Sequence, residues 1–237
     1  MRGATLLLAA LLALLPACAP RLEPLTPESL AAAQDLAREM NARRAGHAAA
    51  AALVQAELKS RGPVRLWPGF TAAFRYRAPD AYSLNGYSDI GLPLFAYQAE
   101  GGVYTVTTPD GPADNGPADG GPVAEVLHDL THLLDGALGV DLGGEPPRRT
   151  RDGRWFVARD GVSIRFTMAD GHVTALSVER AGRKPTHIHF GDFRGAGWPL
   201  PYRMEVDLAE YRVKIALTVL EWNLVAAAPP ERAGNGP

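Results

Sequence analysis

Cysteine is almost absent from this sequence: Cys18 is the only one among 237 residues. A single cysteine cannot form an intramolecular disulfide bond. The fold must therefore depend on a packed core, and a hydrophobic content of 46% is enough to form one and to argue against global disorder. At this length the chain forms one large domain or two small ones.

An excess of positive charge is also absent. The chain has 24 Lys and Arg residues against 26 Asp and Glu residues, a formal net charge of −2. A nucleic-acid-binding protein is expected to carry a basic patch, so this balance predicts no nucleic-acid partner. The G-x-S-x-G nucleophile motif and the P-loop are missing as well. We therefore predict that the protein is not an enzyme and binds no cofactor.

The N-terminal apolar run is too short to span a membrane. Arg2 precedes an uncharged apolar block over residues 6–15, whereas a transmembrane helix needs ~20 residues. Small residues follow at Ala17 and Ala19. A positive start, a short apolar block and small residues are typical of a secretory signal, which we predict over residues 1–17.

The four residues Leu15-Pro16-Ala17-Cys18 resemble the lipobox of bacterial lipoproteins. The resemblance implies cleavage before Cys18, a diacylglycerol thioether on its sulfur and an acylated amino terminus, so that a lipid anchor holds the chain at a membrane. The alternative is ordinary signal cleavage next to Ala17 or Ala19, with an incidental cysteine. Because residue 19 is not aspartate, the resemblance implies the outer membrane of a Gram-negative bacterium, on its periplasmic face.

The mature chain is predicted to begin with a tether and a helix. Residues 18–26 contain prolines and charged residues and are interpreted as the tether. Thr26 is the predicted N-cap of a helix that runs to about Arg44 and ends at Gly46. The next segment, AAAAALVQAELKS, is ambiguous, because its alanines favour a helix whereas the alternation at its end favours a strand.

Strands are predicted over most of the remaining chain. In FTAAFRYRAP, Phe74 and Tyr76 share one face and the arginines share the other. In the second half, Asp-Gly pairs begin at Asp152, Asp160 and Asp170 and separate alternating runs. Asp-Gly favours the two-residue turn of a β-hairpin. The pattern predicts an antiparallel meander with one apolar face and one more polar, solvent-exposed face.

Two features interrupt the predicted sheet. Residues 109–122, PDGPADNGPADGGP, are predicted to form a flexible loop. The following VAEVLHDLTHLLDGAL is predicted as an amphipathic helix whose leucines and valines fall on one face. No second domain is indicated: the folded part is predicted over residues 27–225, followed by a disordered tail over residues 226–237.

Histidines occur twice at spacings that suit metal ligation. His128 and His132 lie four apart in the predicted helix, and His187 and His189 lie two apart in a predicted strand, so four imidazoles could hold zinc. The helical wheel instead places His128 and His132 opposite the leucine stripe, away from the sheet. In the strand, Ile188 and Phe190 form the apolar face, so the two histidines lie on the other face. The sequence therefore predicts solvent-facing histidines and no metal site.

The order of lipobox, helix, several strands, second helix and hairpin-rich half resembles the LolA/LolB family of lipoprotein-localisation carriers and receptors, with their lipoprotein relatives. Three stretches carry the resemblance: FTAAFRYRAPDAYSL followed by GLPLFAYQAEGGVYTVTTP, then PTHIHFGDFRGAGWPLPYRMEVDL, then KIALTVLEWNL. Over about residues 29–224 it implies a mainly β fold with α, a curved incomplete antiparallel barrel of about 11 strands covered by two or three helices.

The same resemblance implies an apolar cavity that accepts acyl chains beneath a movable helix. The candidate residues are Val126, Leu127, Leu130 and Leu134 for the lid face, and Phe74, Tyr76, Leu94, Ile164 and Phe166 for the cavity wall. Apolar stripes of this kind are ordinary core by default, and an open cavity is the alternative. Leu92 and Leu94, on either side of Pro93, are candidates for the exposed apolar loop residue that LolB-type receptors are thought to use.

The predicted function is that of an outer-membrane-anchored lipoprotein that binds an acyl chain or a lipoprotein. It would act as a passive carrier or receptor in lipoprotein or lipid trafficking, with a periplasmic carrier protein as a further partner. Two alternatives stay open. The first is a structural or scaffolding envelope lipoprotein whose cavity is filled by core, and the second is a zinc-dependent hydrolase that uses the histidines.

Overall fold

The architecture is taken from a computed structural model that describes residues 20–60, 69–101, 103–115, 122–140, 142, 146–159, 161–195 and 199–227. The predicted signal sequence and Cys18 lie outside these residues, as does most of the predicted C-terminal tail. No helix in the described ranges is long and apolar enough to cross a membrane.

The first helix, α1, spans Pro27–Ala45 and begins and ends as the sequence predicts. The Thr26 hydroxyl accepts a hydrogen bond from the Ser29 amide at 3.1 Å, and the Ser29 hydroxyl accepts one from the Thr26 amide at 2.9 Å. Each side chain therefore satisfies a backbone donor at the start of the helix. The Gly46 amide donates to the Ala42 carbonyl at 3.0 Å and closes the last turn.

Thirteen antiparallel strands form one sheet in the described residues, in two groups separated by helix α2 (Pro122–Gly136). The first group is β1 (His47–Ser60), β2 (Gly69–Arg77), β3 (Ala81–Tyr87), β4 (Pro93–Glu100), β5 (Val103–Thr108) and β6 (Gly111–Asn115). The second is β7 (Arg148–Arg149), β8 (Trp155–Arg159), β9 (Val162–Ala169), β10 (His172–Arg180), β11 (Thr186–Arg194), β12 (Leu200–Leu208) and β13 (Val213–Ala226).

The sheet is an incomplete barrel. Its order is β6-β5-β4-β3-β2-β1-β13-β12-β11-β10-β9-β8-β7, so each group is a meander and the long strands β1 and β13 join the two halves. The end strands β6 and β7 lie at opposite edges and are not paired with each other in the described ranges. The predicted fold class is confirmed, with 13 strands rather than about 11.

The ambiguous alanine-rich segment is strand β1, which pairs with β13 on one side and with β2 on the other. Its buried residues alternate at Ala50, Ala52, Val54 and Ala56. Differences in helix propensity reach only about 0.7 kcal/mol per ordinary residue. Pairing on both edges of the strand and burial of one face outweigh that preference, so tertiary structure decided between the two alternatives.

Part of the predicted flexible loop is ordered. Residues Gly111–Asn115 form β6 and pair with β5, starting with Thr108 opposite Gly111. The prediction of a loop over residues 109–122 was therefore wrong for this strand, and residues 116–121 lie outside the described residues. The pairing uses backbone N–H and C=O groups, so the open edge of β5 can order a segment that has few apolar side chains.

The turn at Asp170 and Gly171 joins β9 to β10 as the sequence predicts. Asp170 has φ +50° and Gly171 has φ +76°, the positive pair that a type I′ turn requires. In the same hairpin Phe166 lies opposite Leu176, and both are buried. Asp160, of another predicted turn, lies outside the described residues.

The predicted tether is partly bound to the sheet. The Arg21 carbonyl accepts a hydrogen bond from the Arg151 amide at 2.8 Å, and the Glu23 amide donates to the Arg149 carbonyl at 2.8 Å. These contacts form a short antiparallel bridge beside β7. The chain is therefore attached to the sheet from Arg21 onward, rather than free as far as residue 26.

Gly86 in β3 lies directly under an aromatic ring. It is opposite Phe95 in β4, and a Cβ on Gly86 would lie 2.2 Å from Phe95 Cε1. The Phe95 ring has little room to move, because it is 3% exposed and contacts Phe70 edge-to-face at 5.2 Å between centroids. We expect Gly86→Ala to lower the free energy of unfolding by about 1–3 kcal/mol through overpacking, measured by urea denaturation.

Gly191→Ala is the matched control for this prediction. Gly191 lies in β11, and no atom lies within 4 Å of a Cβ placed there. Its stability should stay within about 0.5 kcal/mol of the wild type. Equal free energies of unfolding for the two variants would show that the Phe95 ring can move away from Gly86 without loss of stability.

Candidate functional site

A cavity of about 510 Å³ lies between α2 and the sheet. Its apolar wall comes from both halves of the sheet: Tyr82, Ala99, Val103 and Tyr104 from β3 to β5, and Val157, Val162, Ile164, Leu176 and Val178 from β8 to β10. Helix α2 contributes His128, Asp129 and Leu133, and Arg44 and Arg180 add charged groups. A mostly apolar wall with a few polar groups is the usual form of a ligand pocket.

Helix α2 is buried on more than its apolar stripe. The predicted apolar face is at most 3% exposed at Val126, Leu127, Leu130, Leu133 and Leu134. Ala124, Asp129 and Thr131, outside that stripe, are buried as well. The helix therefore occupies the interior of the incomplete barrel and does not merely cover its surface.

Glu125 ties the first turn of α2 to the second half of the sheet. Its carboxylate accepts hydrogen bonds from Arg183 at 2.9 and 3.3 Å and from the Tyr211 hydroxyl at 2.6 Å. The hydrogen-bonded Arg183 guanidinium lowers the pKa of Glu125. Burial, and then the hydrogen bond to Glu125, raise the pKa of Tyr211. The two partners belong to the β10–β11 and β12–β13 turns, so one carboxylate joins three elements.

Asp129, one turn further along α2, is paired with the same half of the sheet. It is 8% exposed and accepts a hydrogen bond from Arg180 at 2.8 Å. Arg180 ends β10 and lines the cavity. Because Asp129 is buried, loss of Arg180 would leave its charge without a partner. This pair therefore holds α2 in one position beside the cavity.

His128 ties α2 to the first half of the sheet. Its Nδ1 lies 2.6 Å from the Tyr97 hydroxyl, and its ring stacks on Tyr104 with 5.1 Å between centroids. Burial raises the pKa of Tyr97. The prediction that His128 faces solvent was therefore wrong, because the barrel surrounds the helix and its polar stripe meets protein. The side chain of His132 lies outside the described residues.

His187 and His189 face away from the cavity, as predicted. Both are exposed and alternate with buried Ile188 and Phe190 along β11. They lie on the face of the sheet opposite to that of His128, so the imidazoles do not converge. Within the described residues, no group of three His, Cys, Asp or Glu side chains is placed to hold a metal ion.

The candidate wall and lid residues lie in two kinds of environment. Ile164 lines the cavity. The residues buried in the core are Phe74, Tyr76, Val126, Leu127, Leu130, Leu134 and Phe166, and Leu94 packs against that core. The wall candidates among them, Phe74, Tyr76, Leu94 and Phe166, are therefore packed and do not line this cavity, although Tyr76 also lines an adjoining groove of about 660 Å³.

Sequence reasoning missed the side chains that bond to α2 from the sheet and its turns, namely Tyr97, Arg180, Arg183 and Tyr211. The available signal was on the helix itself. Glu125 and Asp129 lie four apart on α2, and Asp129 borders the leucine stripe. A carboxylate that becomes buried there needs a cationic partner.

The connection between β3 and β4 carries exposed apolar side chains. Ile90 is 82% exposed and Leu92 is 59% exposed, whereas Leu94 packs against the core. The Ser88 amide donates to the Leu92 carbonyl at 2.9 Å, and the Leu92 amide donates to the Ser88 hydroxyl at 3.1 Å. The connection is therefore a defined turn with an apolar tip. Of the two sequence candidates Leu92 is exposed, and Ile90 was missed.

Solved structures that are similar to this chain include the following two. A LolA superfamily protein from Nitrosomonas europaea matches with a TM-score of 0.53 at 12% identity, over 83% of this chain and 94% of that one. The chain has a LolA-like fold. A domain from Vibrio parahaemolyticus, assigned to outer membrane lipoprotein sorting, shares it with a TM-score of 0.50 at 10% identity, over 83% and 93% of the two chains. No protein-family model and no curated protein matches the sequence.

The contacts of Glu125 within this LolA-like fold predict a pH-dependent stability. We expect Glu125→Gln to lower the melting temperature by about 2–4 °C near pH 7, roughly 1 kcal/mol after allowance for partial exposure. The folded-state pKa of Glu125 is lowered. Its contribution is therefore complete above the unfolded pKa of roughly 4.3 and is lost as the pH falls through the folded pKa. The difference in melting temperature should shrink below about pH 4.

Thermal melts followed by circular dichroism across this pH range test the prediction. Glu221→Gln, at an exposed position of β13, is the control and should melt like the wild type. A difference between wild type and Glu125→Gln that stays constant down to about pH 3 would contradict the assigned role of the Glu125 carboxylate.

Proposed function

We propose that this protein is an outer-membrane-anchored lipoprotein that binds an acyl chain, free or attached to a lipoprotein, in the cavity beside α2. The apolar cavity of about 510 Å³ carries the proposal. Its volume lies within the roughly 300–1,000 Å³ of small-molecule sites. The names of the similar structures support it, since one is a LolA superfamily protein and the other is assigned to outer membrane lipoprotein sorting.

The cavity suits the hydrocarbon part of a ligand. Each methylene that leaves water contributes ~0.8 kcal/mol, and most of the wall is aliphatic or aromatic. The charged and imidazole groups in the wall already have protein partners: Asp129 with Arg180, His128 with Tyr97, Arg44 with the Gly139 carbonyl and Asp80 with the Gly101 amide. The acyl chain is therefore the part recognised, which suits a passive carrier that accepts several lipids and performs no covalent step.

Entry of a long acyl chain requires α2 to shift. The bonds of Glu125 and Asp129 oppose this shift, because hydrogen bonds to charged groups contribute about 1.5–3 kcal/mol each. Burial of the acyl chain has to offset that cost. Movement of α2 would uncover its leucine face and the buried Phe74 and Phe166. The predicted wall residues would then line a larger cavity, and the acyl chain would replace the packing that α2 gives up.

The apolar tip of the β3–β4 turn is the proposed first contact with the acyl chain. Ile90 and Leu92 expose large aliphatic side chains that are held outward by hydrogen bonds at the base of the turn. An exposed aliphatic pair can insert into a lipid surface or touch an acyl chain presented by a carrier. This assignment keeps a periplasmic carrier protein as the proposed donor or acceptor.

Titration of the purified protein with a fluorescent fatty acid tests the proposed function. Saturable binding at one site per chain, reversed by unlabelled palmitate, is the expected result. Absence of saturable binding would favour a scaffolding lipoprotein with a filled core. Stoichiometric zinc in elemental analysis of the same sample would favour the hydrolase instead.

A further inference from the structure

Five exposed arginines cluster at the edge of the sheet where the described chain begins. This arginine patch consists of Arg21, Arg148, Arg149, Arg151 and Arg154. The segments that carry it, residues 20–23 and 146–154, contain two carboxylates, Glu23 and Asp152, so their net charge is +3 in a chain with a formal net charge of −2. Positive charge is therefore concentrated beside β7.

Most of the arginine patch is available to an external anion. Among the described residues, Arg154 is the member that forms an ion pair, with Asp152. Arg149 lies 6.0 Å from the centroid of the Trp155 ring, and Arg148 donates to a backbone carbonyl at 3.4 Å. These contacts orient the guanidinium groups without cancelling their charge.

Two exposed leucines adjoin the arginine patch. Leu25 is 65% exposed and Leu30 is 42% exposed. Together with Arg148 and Arg149 they line a cleft of about 260 Å³ beside the start of α1. Arginines combined with exposed aliphatic side chains are typical of surfaces that bind an anionic membrane interface.

The attachment of the N-terminal segment sets the distance between the arginine patch and Cys18. The Arg21 carbonyl is hydrogen-bonded to the Arg151 amide at 2.8 Å, so the chain is fixed to the sheet from Arg21 onward. Cys18 precedes Arg21 by three residues, which span at most about 11 Å. An acylated Cys18 would thus hold the patch close to the membrane, at a distance comparable with the Debye length of about 8–10 Å.

We propose that the arginine patch docks on the headgroups of anionic phospholipids, with Leu25 and Leu30 entering the interface. The role of this contact in the cell, to fix the orientation of the barrel on its membrane, rests on the proposed lipid anchor. The contact itself does not, because it depends on folded residues from Arg21 onward.

Vesicle binding by the unacylated chain 19–237, which contains every described residue, tests the contact separately from the anchor and from the cavity. Vesicles of phosphatidylcholine with phosphatidylglycerol should bind the chain, and pure phosphatidylcholine should not. Each arginine near an anionic surface contributes a roughly fivefold factor. The triple variant Arg148→Gln, Arg149→Gln, Arg151→Gln should therefore bind about 100-fold more weakly, and lysine at the same three positions should restore most of the binding.

A charge-matched triple variant distinguishes the effect of the arginine patch on vesicle binding from the effect of net charge. Arg75→Gln, Arg77→Gln, Arg203→Gln removes three exposed arginines from β2 and β12, far along the sheet from β7, and should bind like the wild type. The proposal is overturned by equal losses in the two triple variants, by equal binding to both vesicle types, or by tighter binding to a short RNA than to anionic vesicles. Loss of fatty-acid binding with vesicle binding intact would instead count against the proposed function alone.

Discussion

Replacing Val178 with tryptophan is expected to weaken the binding of a fluorescent fatty acid by about tenfold or more. Val178 lies in β10 and lines the cavity, partly buried against the core. An indole at this position occupies space that the acyl chain needs. Each methylene kept out of the cavity costs ~0.8 kcal/mol, so two of them account for roughly a tenfold loss. Fluorescence titration of the purified variant measures the affinity.

Val225→Trp is the control for this prediction. Val225 is 54% exposed near the end of β13 and lines an adjoining outer groove of about 660 Å³, which shares Tyr82, Ala99 and Val103 with the cavity. This variant should bind the fatty acid like the wild type, and both variants should keep the wild-type circular dichroism spectrum. A loss confined to Val225→Trp would move the ligand to the outer groove and contradict the proposed site.

Replacing Cys18 with serine is expected to move most of the protein from the membrane fraction to the soluble fraction. Serine lacks the thiol that would carry the diacylglycerol. One acyl chain binds a membrane reversibly, whereas two lipid signals already give stable anchoring, so loss of the whole anchor has a large effect. Fractionation in high salt, which screens the arginine patch, measures the change. Mass spectrometry of the wild-type amino terminus identifies the modification.

Ala19→Asp provides the matched control, because it changes the adjacent residue and keeps Cys18. The lipobox resemblance implies that this variant is still acylated but is retained in the inner membrane. An unmodified Cys18 in the wild type, or a Cys18→Ser variant that stays in the membrane at high salt, would contradict the anchor.

Secondary structure was predictable where the signal lies within a few residues. The Thr26 cap, the Asp170-Gly171 turn and the shared buried face of Phe74 and Tyr76 each depend on near neighbours, and the structure confirms them. The amphipathic pattern likewise identified α2 and its apolar face. These features follow from the fixed periods of helices and strands and from the φ values that turns require.

The site was predicted less completely, because its side chains meet only in the folded chain. Arg180 and Arg183 bond to Asp129 and Glu125 across 51 and 58 residues of sequence. Of the candidate wall residues Ile164 lines the cavity, while the others are packed in or against the core. An apolar stripe indicates which side of a strand or helix is buried. It does not indicate whether packed side chains or a cavity lie against that side.

By itself, the sequence determined a mainly β chain with two halves, an amphipathic helix between them and a lipobox-like start. Only the tertiary structure decided that the alanine-rich segment is the central strand β1, that Gly111–Asn115 pairs with an open edge, and that the polar stripe of α2 is bonded to the barrel. Contacts with distant segments made the choice for β1 and α2, and the open edge of the neighbouring strand β5 made it for Gly111–Asn115. Their pairing and burial energies exceed the local propensities that a single stretch of sequence expresses.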